Sequence, residues 1–159
     1  AWFVTNLKKV TNANEEITAL DSLDVKTVAL LNTSEFPEIS KFSFEKDSTA
    51  TIALKSYEPN QLTYTSSSKV NTVAVFSEMY YKYGWNAYID GKITPHFKVN
   101  YLLRALEIPA GNHTIEFKFE PKVVETGSKI ALGSSILLAI IAIGGIVLSF
   151  RRSRKKEAS

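Results

Sequence analysis

The sequence predicts a mainly β protein: an extracytoplasmic β-sandwich, jelly-roll-like and carrying one short helix, followed by a single transmembrane α-helix. Three observations carry that expectation. Short runs rich in β-branched and aromatic residues recur every ~8–12 residues with turn signals between them, the spacing of a sandwich. Near the end, Ile130–Phe150 reads IALGSSILLAIIAIGGIVLSF, 21 residues without a charge. As a helix rising ~1.5 Å per residue it spans ~31 Å, about the hydrocarbon thickness of a bilayer. The charge, finally, is lopsided. The 159 residues hold 19 Lys plus Arg against 16 Asp plus Glu, a net +3. Five of those bases and one acid lie in the last nine residues, RRSRKKEAS, so the tail is +4 and residues 1–150 are −1. Basic residues flanking a spanning helix stay on the cytoplasmic side, which places the tail inside and residues 1–129 outside.

Taken in order, Ala1–Val10 (AWFVTNLKKV) is expected as one strand. Asn12–Leu23 is the helical segment, with Asn12 or Asn14 as its cap and Glu15 and Glu16 in its first turn, where carboxylates complement the helix dipole. Lys26–Leu31 returns as a strand, and a polar loop containing Pro37 follows. Further strands are expected at Thr49–Tyr57, Gln61–Ser67, Asn71–Ser77, Trp85–Ile89, Ile93–Val99, Tyr101–Ile108 and Thr114–Glu120. The last alternates strictly, with Ile115, Phe117 and Phe119 on one face and Glu116 and Lys118 on the other. Asp90-Gly91 suits a type I′ hairpin, whose two central residues need positive φ. Glu58-Pro59-Asn60 and Pro109–Asn112 mark other turns, and Pro121, lacking an N–H, closes the last strand. The organisation is then a β-rich domain over 1–121, a tether over 122–129, a membrane helix over 130–150 and a basic tail over 151–159.

The chain offers little that could do bond chemistry. With no Cys there is no thiol nucleophile and no Cys-ligated zinc. His96 and His113 are the two imidazoles, outside any H-x-x-x-H or H-x-E spacing, so no metal and no cofactor is expected. No G-x-S-x-G elbow and no Gly-rich phosphate loop is present. The near-neutral outer domain gives no electrostatic reason to expect nucleic acid; the expected partner of the tail and helix is the lipid bilayer. Ala131, Ser135, Ala139, Ala142, Gly145 and Ser149 place small side chains on one helix face, which lets another membrane helix approach closely. The expected neighbours are upstream transmembrane helices of a longer protein of which this is the carboxyl end.

Residues 78–91, EMYYKYGWNAYIDG, then 99–121, VNYLLRALEIPAGNHTIEFKFEP, then a final apolar helix and basic tail, resemble the carboxyl-terminal end of YfhO-type bacterial membrane proteins. The opening AWFV, NEEITAL and KTVALL are similar to the region that precedes it in that family. The most specific pieces are Gly84-Trp85 with Asp90-Gly91, and Asn100-Tyr-Leu-Leu-Arg104; Tyr83 departs from the Pro often found before the Gly-Trp pair. The resemblance implies a multi-pass protein of the bacterial cytoplasmic membrane, a cell-envelope glycosyltransferase using polyprenyl-phosphate-linked sugar. It also implies a catalytic acid in an early extracytoplasmic loop that no residue of this chain matches. No catalytic residue is therefore expected in these 159 residues. The alternative is a membrane-tethered carbohydrate-binding or structural and assembly module of the envelope.

The aromatic cluster Met79–Ile89 is where contact with a ligand is expected. Tyr81 and Trp85, with Glu78 and Arg104, form a candidate substrate-binding set: flat rings stack on a sugar and polar groups bond its hydroxyls. Two other readings stand beside it: packing of the sandwich core and its loop, and anchoring at the membrane interface, where Tyr and Trp are enriched. Arg104 is expected to pair with a carboxylate such as Glu78 or Glu107.

Overall fold

The structure, a computed structural model, describes the backbone of residues 1–157 and the side chains of these except 122, 125 and 146–157. The side chains of the expected basic tail, 151–159, thus lie outside the described residues, as do 158 and 159 altogether. Two compact units are formed, Ala1–Glu120 and Pro121–Ser159.

The first unit is a sandwich. A four-stranded antiparallel sheet has β1 (Trp2–Val4), β6 (Thr72–Met79), β10 (Leu103–Ile108) and β9 (Phe97–Val99) in that order. A five-stranded antiparallel sheet has β4 (Thr51–Glu58), β5 (Gln61–Ser68), β11 (Gly111–Phe119), β7 (Trp85–Ile89) and β8 (Lys92–Thr94). Between them pack Leu62, Phe76, Leu106, Ile108, Ile115 and Phe117, with Tyr64, Phe76 and Phe117 meeting edge to face at centroid distances of 4.8–6.3 Å. Edge-to-face contact sets the positive ring edge on the negative face, adding to the apolar burial of each ring.

A third layer covers the other face of the four-stranded sheet. It consists of a parallel pair, β2 (Asn6–Val10) and β3 (Val28–Asn32), with α1 (Ala13–Leu20) between them in sequence. Leu7, Ala29, Leu31, Phe36 and Phe44 pack there against Val73, Val75, Phe97, Val99 and Ala105. Covering both faces explains why β6 reads as an unbroken apolar run, Val73-Ala-Val-Phe76, rather than alternating.

Local chemistry fixes the elements. Asn12 caps α1, its Oδ1 accepting from Glu15 N at 2.9 Å, while Glu15 Oε2 reaches back to Thr11 N at 2.8 Å. Asp90 and Gly91 take φ of 50° and 77°, as a type I′ turn requires. Asn100 and Tyr101 do the same at 51° and 69°. Positive φ is costly for a side-chain-bearing residue, and here hydrogen bonds hold it: Asn100 Oδ1 accepts from Leu30 N at 2.7 Å, and buried Glu16 Oε1 accepts from Tyr101 N at 2.7 Å.

Two expected strands are each split between sheets. Ala1–Val10 breaks at Thr5, whose N–H bonds Thr27 O and whose carbonyl accepts from Phe44 N, both at 2.8 Å. The chain there leaves β6 to pair with β3. Ile93–Val99 breaks at Pro95-His96, β8 belonging to one sheet and β9 to the other; a proline cannot donate to a ladder, so it suits the crossing.

In the second unit α2 runs Lys122–Glu157. Residues 122–129, expected as a tether, are its first turns. Among the described residues it is the helix long and apolar enough to cross a membrane, over Thr126–Gly145.

Candidate functional site

The four candidate residues lie where β6 passes into β7. Strand β10 pairs Arg104 with Phe76 and Leu103 with Met79, so the ladder is interrupted between them. At this break Arg104 Nε donates to the Met79 carbonyl at 2.8 Å. The guanidinium lies between the sheets, 4.3 Å from the Trp85 ring centroid and 5.1 Å from that of Phe117. Arg104 is 2% exposed, and burial holds its pKa below the ordinary arginine value, with the Glu78 charge acting in the opposite direction. A cation over aromatic faces is drawn to their negative quadrupole, worth ~2 kcal/mol or more when desolvated.

The expected ion pair is not made. Among the described residues no carboxylate oxygen lies within 4.0 Å of Arg104; Glu78 reaches it only through the field. Glu107, exposed and three positions along β10, points to the opposite face of the four-stranded sheet, away from the guanidinium. The rings of Trp85 and Phe117 take the place expected for a carboxylate. Arg104 Nη1 is left buried without a hydrogen-bond partner, and so is His96 Nε2 nearby. Burial, and secondarily Arg104, push the His96 pKa down to about 4, so this imidazole is neutral near pH 7. Its ring lies 5.2 Å from Tyr80 and 5.8 Å from Phe117.

Trp85 and Arg104 are therefore in direct contact, and Glu78 shares their face. Tyr81 lies apart in the turn before β7, half exposed, its ring edge-on to Tyr83 at 6.3 Å. Gly84 decides how this turn is closed. A Cβ there would come within 2.2 Å of Phe119 Cε2 and 2.8 Å of Tyr81 Cδ1. Because Gly84 has none, Phe119 lies against the backbone and 5.4 Å from the Trp85 ring. The contact roles of Gly84, Phe119 and His96 do not follow from the strand pattern. A glycine at a strand start, signalling close backbone approach, is the one available hint.

A second concavity opens on the far side of the five-stranded sheet. It encloses about 310 Å³ and is lined by Thr51, Thr65, Ser67, Asn112 and Thr114, with Asp90 and His113 at its edge. Asp90 Oδ2 meets His113 Nδ1 at 2.6 Å and Asp90 Oδ1 accepts from Thr114 N at 2.9 Å. These bonds hold the Asp90 pKa below the usual carboxylate value, His113 being the larger cause. Among the described residues no cluster of three or more His, Asp or Glu is arranged to hold a metal ion.

A β-rich unit followed in the chain by a helix long and apolar enough to cross a membrane fits a membrane protein. The family follows from comparison. The model of the bacterial membrane protein YfhO family matches residues 7–131, and the chain belongs to that family. The match covers the third layer from Leu7 on, both sheets except β1, and the first turns of α2. No curated protein and no solved structure matches the chain.

Proposed function

We propose that the chain is the extracytoplasmic sandwich and a membrane helix of a multi-pass bacterial envelope glycosyltransferase that uses lipid-linked sugar. In this reading the sandwich makes and breaks no bonds. It frames a cavity built by upstream helices and helps hold the acceptor polymer. The observation that carries the placement is charge: five bases follow the uncharged run directly, while Lys122 and Lys129 are the bases close before it. The transferase class rests on the resemblance to the YfhO family. A supporting role for the sandwich agrees with how its carboxylates are used. Asp47 accepts from Lys69 N, Glu120 from Asn86 and Tyr88, and Asp90 pairs with His113; each closes a local contact.

Of the four candidate residues, Tyr81 and Glu78 would meet a sugar directly, Tyr81 being exposed and Glu78 half-buried. Trp85 would offer its open edge, and Arg104 would set the tilt of that ring. One observation favours the alternative of a membrane-tethered carbohydrate-binding module: the hydroxyl-lined concavity at Thr51, Thr65 and Thr114, whose side chains suit a sugar's hydroxyls.

The test has two arms. In intact cells a membrane-impermeant thiol reagent should label Lys69→Cys and miss Ser153→Cys; the reverse pattern would end the topology. In membranes carrying the full-length parent, transfer from a polyprenyl-phosphate sugar should survive Asp90→Asn and fall with Tyr81→Ala. Transfer abolished by Asp90→Asn with folding intact would give the sandwich a catalytic role. No transfer by the parent, together with retained glycan binding, would favour the tethered module.

A further inference from the structure

The exposed aromatic side chains are not scattered over the sandwich. Among the described residues they are Tyr57, Tyr81, Tyr83, Tyr101 and Phe119. Tyr57 adjoins the β4–β5 turn, Tyr81 and Tyr83 are in the β6–β7 turn, Tyr101 is the tip of the β9–β10 hairpin, and Phe119 ends β11. Strand register puts all four places at one end. Leu103 pairs with Met79, Phe119 pairs with Trp85, Lys118 pairs with Gln61, and Phe119 N donates to Asn60 O at 2.9 Å. Exposed Met79 and Leu102 extend the same surface, tied together where Tyr80 N donates to Leu102 O at 2.8 Å. An apolar rim on a water-soluble surface calls for a partner.

This is also the end from which the chain leaves. Glu120 N bonds Gly84 O at 2.7 Å, and the next residue, Pro121, opens into α2. The candidate span opens at Thr126 and the uncharged run at Ile130, so a helical rise of ~1.5 Å per residue puts ~8–14 Å between Pro121 and the hydrocarbon. That is the depth of the headgroup zone on one side of a bilayer or somewhat more.

We infer that this tyrosine-rich end is a lipid-contacting surface that rests in the headgroup region of the membrane. The inference rests on the reading of α2 as a spanning helix. Tyrosine suits the place because its ring is apolar and its hydroxyl polar, and four of the five exposed rings are tyrosines. Tyr83, 71% exposed, and Lys82, whose Nζ lies 5.9 Å from the Tyr83 centroid, are both exposed in this turn. Lysine there favours phosphate headgroups.

The chain has no cysteine, so single labels can be placed at will. Tyr83→Cys, Leu102→Cys, Lys69→Cys and Ile136→Cys, each carrying an environment-sensitive dye, are reconstituted as full chains in phosphatidylcholine–phosphatidylglycerol vesicles. Lipids bearing a nitroxide at headgroup depth should remove most of the emission at 83 and 102 and leave 69 unchanged. Lipids with the nitroxide in mid-chain should quench 136. If 83 and 102 respond to aqueous iodide alone, as 69 does, the inference is overturned. If both are shielded from lipid nitroxide and iodide alike, a protein surface covers this end, and the inference is again overturned. Unquenched emission at 136 would remove the spanning reading, and the inference with it; quenched 136 beside unquenched 83 and 102 removes the inference alone.

Discussion

The two ends of the sandwich are finished in opposite ways. At the end away from Pro121, side chains close the turns by bonding the backbone. Asp47 accepts from Thr49 N, Lys69 N and Thr49 Oγ1 at 2.6–2.8 Å, Asn71 Oδ1 from Ala110 N at 2.9 Å, and Asp90 from Thr114 N. At the exit end packing closes the β6–β7 turn, Phe119 on Gly84 and Trp85 on Arg104, while Glu16 Oε1 holds Tyr101 N in the β9–β10 turn. Water satisfies exposed polar groups at the first end and would do nothing for exposed rings at the second. The same nine strands of the two sheets thus carry one end shaped for solvent and one whose stability and partner preference both depend on aromatic contact.

The largest way to break the contrast is at Trp85. Trp85→Ala removes the ring from both Arg104 and Phe119 and leaves the buried cation with the more distant Phe117 ring alone. Unfolding by denaturant, followed by β-region circular dichroism of the full chain in micelles, should show a loss toward the low end of ~3–5 kcal/mol, because Trp85 is half-buried. Stability unchanged while glycan binding disappeared would instead make Trp85 a ligand contact. Gly84→Ala comes next. Its Cβ would overlap Phe119 by more than a flexible chain end can absorb, and Phe119 is held by its ladder to Trp85. Overpacking of this kind should cost in the upper part of ~1–3 kcal/mol. A pairing of Gly84→Ala with Phe119→Ala should recover part of that cost, since Phe119 makes the closer clash and Tyr81 the lesser one.

These residues also mark what was legible in the sequence. Patterns set by one residue and its immediate neighbours were readable: an asparagine cap at Asn12 or Asn14, of which the fold uses Asn12, the Asp90-Gly91 turn, and the alternation that turns Ile115 and Phe117 inward. So was the mainly β architecture and the long apolar helix. What escaped depended on which sheet a strand joins. Thr5 and Pro95 sit inside runs with uniform β character, and only their pairing with different sheets reveals a break. Arg104 escaped for a related reason. An arginine in an alternating strand reads as seeking a carboxylate, until the five-stranded sheet covers that face of β10 with the rings of Trp85 and Phe117. The candidate set was legible as an aromatic cluster, while the division of labour inside it, Trp85 and Arg104 packed and Tyr81 exposed, comes from the fold.

Acid should act on the ends through different groups and in different windows. His96 titrates near 4 when folded and near 6.5 when unfolded, chiefly because it is buried. Between those values the unfolded chain binds a proton that the folded chain refuses, so stability falls as pH drops from 6.5 to 4. Buried Glu16 opposes this: burial raises its pKa, so its contribution grows as pH falls toward 4.5. Asp47, lowered to about 2 mainly by Lys69 N, keeps its stabilisation above pH 3.8 and loses it as pH falls to 2. Denaturant midpoints measured across pH should therefore decline in two steps. His96→Phe should remove the upper step, about 1–2 kcal/mol after allowing for partial exposure, and spare the lower. A single step shared by both proteins would mean that His96 is not the group responsible.

The smallest effects sharpen the contrast most. Asn71→Ala deletes an amide acceptor at the solvent end, leaving Ala110 N to find water, and should cost about 1 kcal/mol. Tyr83→Ser deletes a far larger group, yet its ring is 71% exposed and closes nothing that Gly84 and Phe119 do not already close. Its effect on unfolding should stay within ~0.5 kcal/mol. In vesicles the order should reverse. Asn71→Ala should leave headgroup quenching of a dye at Leu102 unchanged, whereas Tyr83→Ser should reduce it, since one of the rings that hold the rim in the headgroups is gone. A Tyr83→Ser chain as unstable as Trp85→Ala would mean the ring is packed against protein, and the two ends would then differ in degree only.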